Sequence, residues 1–105
     1  MEKNIDDNLL KMKMNGRTLE INTDYYNGNL IFTEKNIDSI SITKVSITTF
    51  ISKKAEIEFN VKIIKDAYCF EVPVSMTLKY NENIDSRWEL TDGIFENNIT
   101  LYKVQ

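Results

Sequence analysis

The sequence predicts an all-β domain, an antiparallel up-and-down meander of about eight strands that forms a small barrel or a barrel-like sandwich. Residues that favour strands, namely Ile, Val, Thr, Tyr and Phe, recur along the chain, and apolar side chains stand at every second position over long stretches. Dipeptides typical of tight β-turns separate several of these stretches. The alternative that the same pattern permits is a curved antiparallel sheet with one N-terminal helix.

Length and composition indicate one domain. The chain has 105 residues, of which 42% are hydrophobic and 28% charged, the size and mixture of a single globular unit. It has one proline and three glycines and no linker-like stretch. We therefore expect a single β domain over residues 1–105. Because the first residues lack the apolar stretch of a signal peptide and Cys69 is the one cysteine, we expect a cytoplasmic protein.

The first predicted element is a hairpin around Asn15–Gly16, a dipeptide typical of type I′ turns. This turn places Met12 opposite Leu19 and gives the hairpin one apolar face. Residues 2–14 also carry apolar side chains at helical spacing, and Gly16 stands where a helix would end. The helical alternative therefore stays open.

The second predicted turn is Asn27–Gly28, which has the same preference for positive φ. It links a strand over residues 18–26 with a strand over 29–33. A polar loop or short helical turn over residues 33–39 follows, before the next apolar alternation begins.

The strongest pattern runs from Ala55 to Tyr80, where two long alternations follow one another. A two-residue turn at Lys65–Asp66 would pair Ile63 with Tyr68, and every matched pair on that face of the hairpin would be apolar. Because a slip of one residue would turn the whole apolar set outward, this matching determines which face is buried.

The strand before this hairpin extends the sheet. A three-residue loop, Ser52–Lys54, would align Ile51 with Ala55. Earlier in the same strand the apolar side chains change phase near Thr43–Lys44, which indicates one extra residue. We therefore predict a β-bulge there that bends the strand.

The last hairpin is predicted from Asp92–Gly93, with Leu90 opposite Phe95. Trp88 alternates in phase with Leu90, and we expect it to fill one end of the core.

Charge and composition argue against several functional classes. The formal net charge is −3 and the chain has two arginines, so it lacks the clustered basic residues of a nucleic-acid binder. It has no histidine, which excludes imidazole-based catalysis and imidazole zinc sites. Nearly all of its acidic residues stand in loops or at strand positions predicted to face away from the core, which is typical of a sheet face in contact with solvent. We therefore expect no enzymatic activity, no cofactor, no metal and no membrane or nucleic-acid partner.

The function that these exclusions favour is a small non-enzymatic binding protein that acts through protein–protein contact, with inhibition of the partner as one form of it. The alternative is a lipocalin-like carrier of a small apolar ligand. Tyr25 and Tyr26 must point to opposite sides of a strand, and we take Tyr26, beside the predicted turn, as the exposed one. Pro73 marks a strand edge or a bulge, so we assign protein binding to Tyr26, Pro73 and Ser75.

Overall fold

The computed structural model describes residues 5–24 and 26–104, apart from the side chain of Asp92. The described residues form one helix and seven strands, which are α1 Asp7–Met14, β1 Thr18–Asn22, β2 Asn27–Ile31, β3 Ile37–Thr48, β4 Lys54–Lys65, β5 Tyr68–Tyr80, β6 Trp88–Glu96 and β7 Thr100–Lys103. All strand pairs are antiparallel. The predicted mostly β fold and its antiparallel character are therefore confirmed.

The sheets do not close into a barrel. Strands β1 and β2 pair with each other, and the larger sheet has five strands in the order β3-β4-β5-β6, with β7 also paired to β5. Within the described residues no strand bridges β3 and β6, and residues predicted as the first hairpin strand form a helix instead. The predicted barrel is therefore wrong, and the alternative of a curved sheet with an N-terminal helix holds.

Helix α1 replaces the predicted first hairpin. The carboxylate of Asp6 caps the helix by accepting a hydrogen bond from the backbone N–H of Leu9 at 2.9 Å. Gly16 has a φ of +88° just after the helix, and its N–H donates to the carbonyl of Phe32 at 2.7 Å. The Asn15–Gly16 dipeptide thus does contain a residue with positive φ, but this residue follows the end of a helix and does not form a hairpin turn. No helix in the described part of the chain is long and apolar enough to span a membrane.

The β1–β2 turn lies earlier than predicted. Asn22 pairs with Asn27, so Asn27 and Gly28 are strand residues and the connection precedes them. The N–H of Thr23 donates to the carbonyl of Tyr26, and the N–H of Tyr26 donates to the hydroxyl of Thr23, both at 2.9 Å. The threonine side chain therefore supplies a turn that the Asn-Gly signal did not indicate.

A polar turn is present where one was predicted over residues 33–39, but it is shorter than predicted because β3 already begins at Ile37. The N–H of Ile37 donates to the carbonyl of Thr33 at 3.1 Å, and the N–H of Thr33 donates to the side chain of Asn36 at 2.9 Å. This turn leads the chain directly into β3.

The β-bulge predicted in β3 is also confirmed. The register with β4 shifts between Ile42 and Lys44, and the hydroxyl of Thr43 donates to the carbonyl of Glu58 at 2.9 Å. The extra residue brings the apolar side chains on both sides of it to the same face of the sheet.

The β3–β4 loop is longer than predicted. It covers residues 49–53, so that Ile47 and not Ile51 pairs with Ala55. The loop is longer because the register is determined at the other end of the β3–β4 pair, where the buried residues Ile40 and Val61 lie opposite each other. Once those residues are matched and the bulge is counted, the register of the remaining strand is determined.

The central β4–β5 hairpin has the predicted faces but a register shifted by two residues. Val61 pairs with Val72 instead of Phe70, and the turn residues are Asp66 and Ala67. Asp66 has a φ of +56°, a conformation that aspartate tolerates well. Because strands alternate with a period of two, this shift leaves every buried side chain on its predicted face.

Asp92–Gly93 is not a turn. Both residues lie inside β6, where Leu90 and Phe95 pair with β5 and not with each other. Gly93 is needed for a different reason, because a Cβ built on it would stand 2.9 Å from the hydroxyl oxygen of Thr77. The missing side chain of Gly93 thus lets β6 lie close to Thr77 of β5 where the register shifts, and the glycine does not reverse the chain.

The helix and the β1–β2 hairpin pack on one face of the five-stranded sheet, which we call the core face. The predicted apolar stripe is buried there, with Phe59, Val61, Phe70, Val72, Val74, Met76 and Leu78 all inaccessible or nearly so. Trp88 is fully buried, as predicted, and its ring lies 5.4 Å from that of Tyr80 at 82°. Arg17, after the helix, forms a bidentate ion pair with Glu96 of β6. This pair links the N-terminal layer to the sheet.

Candidate functional site

Tyr26 is not the exposed aromatic that was predicted. Its side chain is half-buried, and its ring makes edge-to-face contacts with Tyr68 and Phe70 at centroid distances of 5.5 and 5.1 Å. Tyr25 lies outside the described residues. Tyr26 therefore supports one end of the core, and its removal would perturb more than a surface.

Pro73 and Ser75 lie on the opposite face of the sheet, which we call the outer face, and both are half-buried. Strand β5 is paired with β4 on one side and with β6 and β7 on the other, so Pro73 does not mark an edge. It lies at an interruption, because β6 ends and β7 begins beside it and the N–H of Asn97 donates to its carbonyl at 2.9 Å. The structure thus separates Tyr26 from the other two predicted residues by the thickness of the sheet.

The most exposed apolar side chains belong to the β3–β4 loop. Phe50 is 94% exposed and Ile51 is 90% exposed, and we call these two residues the apolar tip. The loop joins two strands of 12 residues each, in a molecule whose longest dimension is 46 Å. An aromatic and a branched aliphatic residue are thus held in solvent at the end of a long hairpin.

The base of this loop is fixed to the sheet. The N–H of Tyr80 donates to the carbonyl of Lys53 at 2.8 Å. The ammonium of Lys53 lies 4.5 Å from the centre of the Tyr80 ring and 5.9 Å from that of Trp88, so cation–π attraction adds to the hydrogen bond. Since Trp88 is itself buried, the apolar tip projects from an ordered support.

The strand that leads to the apolar tip is also incompletely covered. Val45 and Ile47 lie on the core face and are each 43% exposed. The nearest charge before them is Lys44, whose ammonium lies 3.9 Å from the carboxylate of Glu58 in an exposed ion pair. From Val45 to Ser52 the sequence carries no charge, so the β3 side of the hairpin end and the loop that follows it are uncharged and partly apolar.

A second apolar area lies on the outer face, where Ile64 and Tyr102 are exposed on either side of the buried thiol of Cys69, and Phe95 is exposed farther along β5, opposite Ser75. The pKa of Tyr102 is raised to about 12, chiefly by its hydrogen bond with the side chain of Cys69 and further by desolvation and by electrostatic interaction with Cys69 and Glu71. Within the described residues no group of three or more acidic, cysteine or histidine side chains is placed to hold a metal ion.

Sequence reasoning missed the apolar tip. It placed Ile51 in a strand opposite Ala55 and therefore on a covered face. The available signal is that Phe50 and Ile51 are adjacent, so they break the alternation that runs through the preceding residues. Two neighbouring apolar residues of a strand face opposite sides, so one of the two could not have been on the core face.

Comparisons with protein-family models, with curated proteins and with solved structures returned no match to this chain. Its function must therefore be inferred from its own surface.

Proposed function

We propose that this chain is a small non-enzymatic binding protein that acts through protein–protein contact and inserts Phe50 and Ile51 into an apolar pocket of its partner. The observation that carries the proposal is the exposure of these two side chains, 94% and 90%, at the end of a long hairpin. Neighbouring apolar residues that are exposed together typically belong to an interaction site.

The gain from binding at the apolar tip is substantial. Burying a side chain of the size of Phe50 or Ile51 is worth roughly 1.5–3 kcal/mol. The loop base is held through Lys53 and Tyr80, so less conformational freedom is lost on binding than with a free loop. Two such anchors can therefore dominate the affinity of a modest interface.

A protein partner fits the charge and architecture better than the other classes do. A net charge of −3 disfavours association with nucleic acids and with anionic membranes. The carrier alternative has less support because the sheet is open and its core face is filled by residues such as Phe59, Phe70 and Trp88. The single cysteine is buried and needs no disulfide partner, so we propose the reducing cytoplasm as the compartment.

The test begins with a photo-reactive phenylalanine analogue at position 50, which crosslinks the partner in extracts of the producing cell. Binding of the purified partner is then compared between wild type and the double variant Phe50→Ser, Ile51→Ser. We expect the double variant to bind at least about 30-fold more weakly, as for the loss of an interface hot spot. Its thermal stability should match that of wild type, since both side chains are exposed.

Phe95→Ser is the matched control, because Phe95 is 64% exposed but lies on the outer face. It should bind the partner as wild type does. Unchanged binding by the double variant would refute a role for the apolar tip. If Ser75→Glu alone abolishes binding, the interface belongs on the outer face near Pro73. If the wild-type protein instead binds neutral lipid vesicles through the tip, a membrane surface replaces the protein partner.

A further inference from the structure

Strand β3 is a free edge of the five-stranded sheet. In the described part of the chain it pairs with β4 alone, so the backbone groups on its other side have no strand partner. Near the hairpin end, Val45 and Ile47 remain 43% exposed although they pair with the buried residues Ile57 and Ala55. The core face is therefore incomplete along this part of the edge.

This edge lacks the features that usually prevent strand addition. Natural edge strands carry charged side chains, prolines or bulges that disfavour pairing with another chain. In β3 the two register irregularities lie at Asp38 and Thr43 and the charged residues are Asp38 and Lys44, all before the exposed segment. The segment Val45–Thr48 has no charge and no proline, and its β-branched residues favour extended structure.

We propose that β3 pairs antiparallel with β3 of a second copy of this chain, with Ser46 opposite Ser46. Directly opposite residues of an antiparallel pair have their side chains on the same face of the sheet. The core-face residues Val45 and Ile47 are at odd positions, so they must lie opposite odd positions of the other copy. Centring the pair on Ser46 places Val45 of each copy opposite Ile47 of the other, so that both apolar residues find apolar partners. A shift by two residues places Val45 or Ile47 opposite a threonine. A shift by four places Lys44 opposite Lys44 in one direction and Ile47 opposite Thr49 in the other.

The self-matching pattern of this uncharged segment, in which Val45 of one copy meets Ile47 of the other, favours a second copy as the occupant. In the Ser46-centred register each Lys44 meets Thr48, so the pairing brings no like charges face to face. The segment is short, and its burial lies below the roughly 1,200–2,000 Å² of a stable interface. We therefore expect a dimer that forms at high micromolar to millimolar concentration. Antiparallel pairing directs the two apolar tips to opposite ends of the dimer, where Phe50 of each copy lies alongside Ile42 of the other copy's β3.

A cysteine at the centre of the pair tests the register. In the variant Ser46→Cys the two thiols would face each other across an antiparallel pair, at a distance that a disulfide can span. In the control Thr48→Cys the two positions would lie about 13 Å apart, since they are four residues out of register. The native Cys69 is buried and does not compete. Under mild oxidation Ser46→Cys should give covalent dimer at least about tenfold faster than Thr48→Cys.

Light scattering over a wide concentration range tests the dimer itself. The wild-type mass should rise from 12.3 kDa toward twice that value. Val45→Lys should stay monomeric, whereas Ile64→Lys should dimerise as wild type does. Ile64 is matched in exposure, 42% against 43%, but lies on the central strand β4.

Three results would overturn the proposal. One is a wild-type protein that stays monomeric into the millimolar range. Another is dimerisation that Val45→Lys leaves unchanged, and the third is equal crosslinking at Ser46→Cys and Thr48→Cys. The crosslinking comparison does not depend on how well Val45→Lys folds. Loss of partner binding in the double variant at Phe50 and Ile51, with normal dimerisation, separates this edge from the apolar tip.

Discussion

The substitution Phe70→Ala tests the packing of the core face. Phe70 lies in β5, is fully buried, and makes an edge-to-face contact with the ring of Tyr26 at 5.1 Å and 73°. Its removal leaves a cavity between the sheet and the N-terminal layer, and it also deprives Tyr26 of a neighbour. Strand β5 is hydrogen-bonded to β4 on one side of Phe70 and to β7 on the other, so its backbone cannot collapse far into the space.

The expected loss of folding free energy is about 3–5 kcal/mol, the usual cost of truncating a buried phenylalanine. A chain of 105 residues unfolds with an entropy of about 0.22 kcal/mol per kelvin near 60 °C, from the average of about 2.1 cal/mol/K per residue. The melting temperature should therefore fall by about 14–23 °C.

Circular dichroism melting and urea unfolding measure both quantities. Phe95→Ala is the control, because Phe95 is 64% exposed and its truncation should change stability by less than about 0.5 kcal/mol. A Phe70→Ala protein that loses less than about 1 kcal/mol, or no more than the control, would show that this face is not the core.

Three further substitutions test individual contacts. Asp6→Ala removes the cap of α1 and should cost about 1 kcal/mol in urea unfolding, more than Asp7→Ala, which removes first-turn charge but no capping bond. Gly93→Ala places a methyl group against Thr77 and should cost about 1–3 kcal/mol by the same measurement, and an unchanged midpoint would contradict the close approach. Because the pKa of Tyr102 is raised to about 12, the folded state holds this proton more tightly than the unfolded state does. Wild type should therefore lose stability between pH 10 and pH 12 to a greater extent than Tyr102→Phe, and equal pH dependence of the two proteins would refute this.

The alternation of apolar residues correctly predicted which face of a strand is buried, but it predicted the pairing register between strands poorly. The β4–β5 pair keeps its buried side chains although Val61 meets Val72 instead of Phe70. A period of two cannot distinguish registers that differ by two residues, and the distinction came from Asp66, which accepts a positive φ. In β3 the change of phase was informative, and the bulge at Thr43 was predicted from it.

The three turn-like dipeptides were the least reliable signals. Asn15–Gly16 ends a helix, Asn27–Gly28 is inside β2, and Asp92–Gly93 is inside β6. Glycine reports a need for positive φ or for space, and each of these needs has more than one structural cause. The predicted barrel depended on counting these dipeptides as hairpins, so it failed with them.

The candidate site depends on which side chains other elements pack over, and a local sequence pattern does not contain this information. Tyr26 looked accessible beside a turn, yet tertiary contacts with Tyr68 and Phe70 half-bury it. Phe50 and Ile51 have the composition of a strand interior, yet nothing packs over them, and each is at least 90% exposed. Whether an apolar side chain is covered depends on elements distant in sequence, so it emerged only from the assembled sheet.

The interruption opposite Pro73 also makes the molecule convenient to modify. Proline has no N–H to give to a neighbouring strand, and residues 97–99 cross this position without strand pairing. Asn97 and Asn98 are exposed, so extra residues between them would form a surface loop without removing a ladder hydrogen bond. Doubling the length of a flexible loop costs only about 0.6 kcal/mol. An epitope or a fluorescent label could therefore be grafted between Asn97 and Asn98, away from both the hairpin end and the free edge of β3.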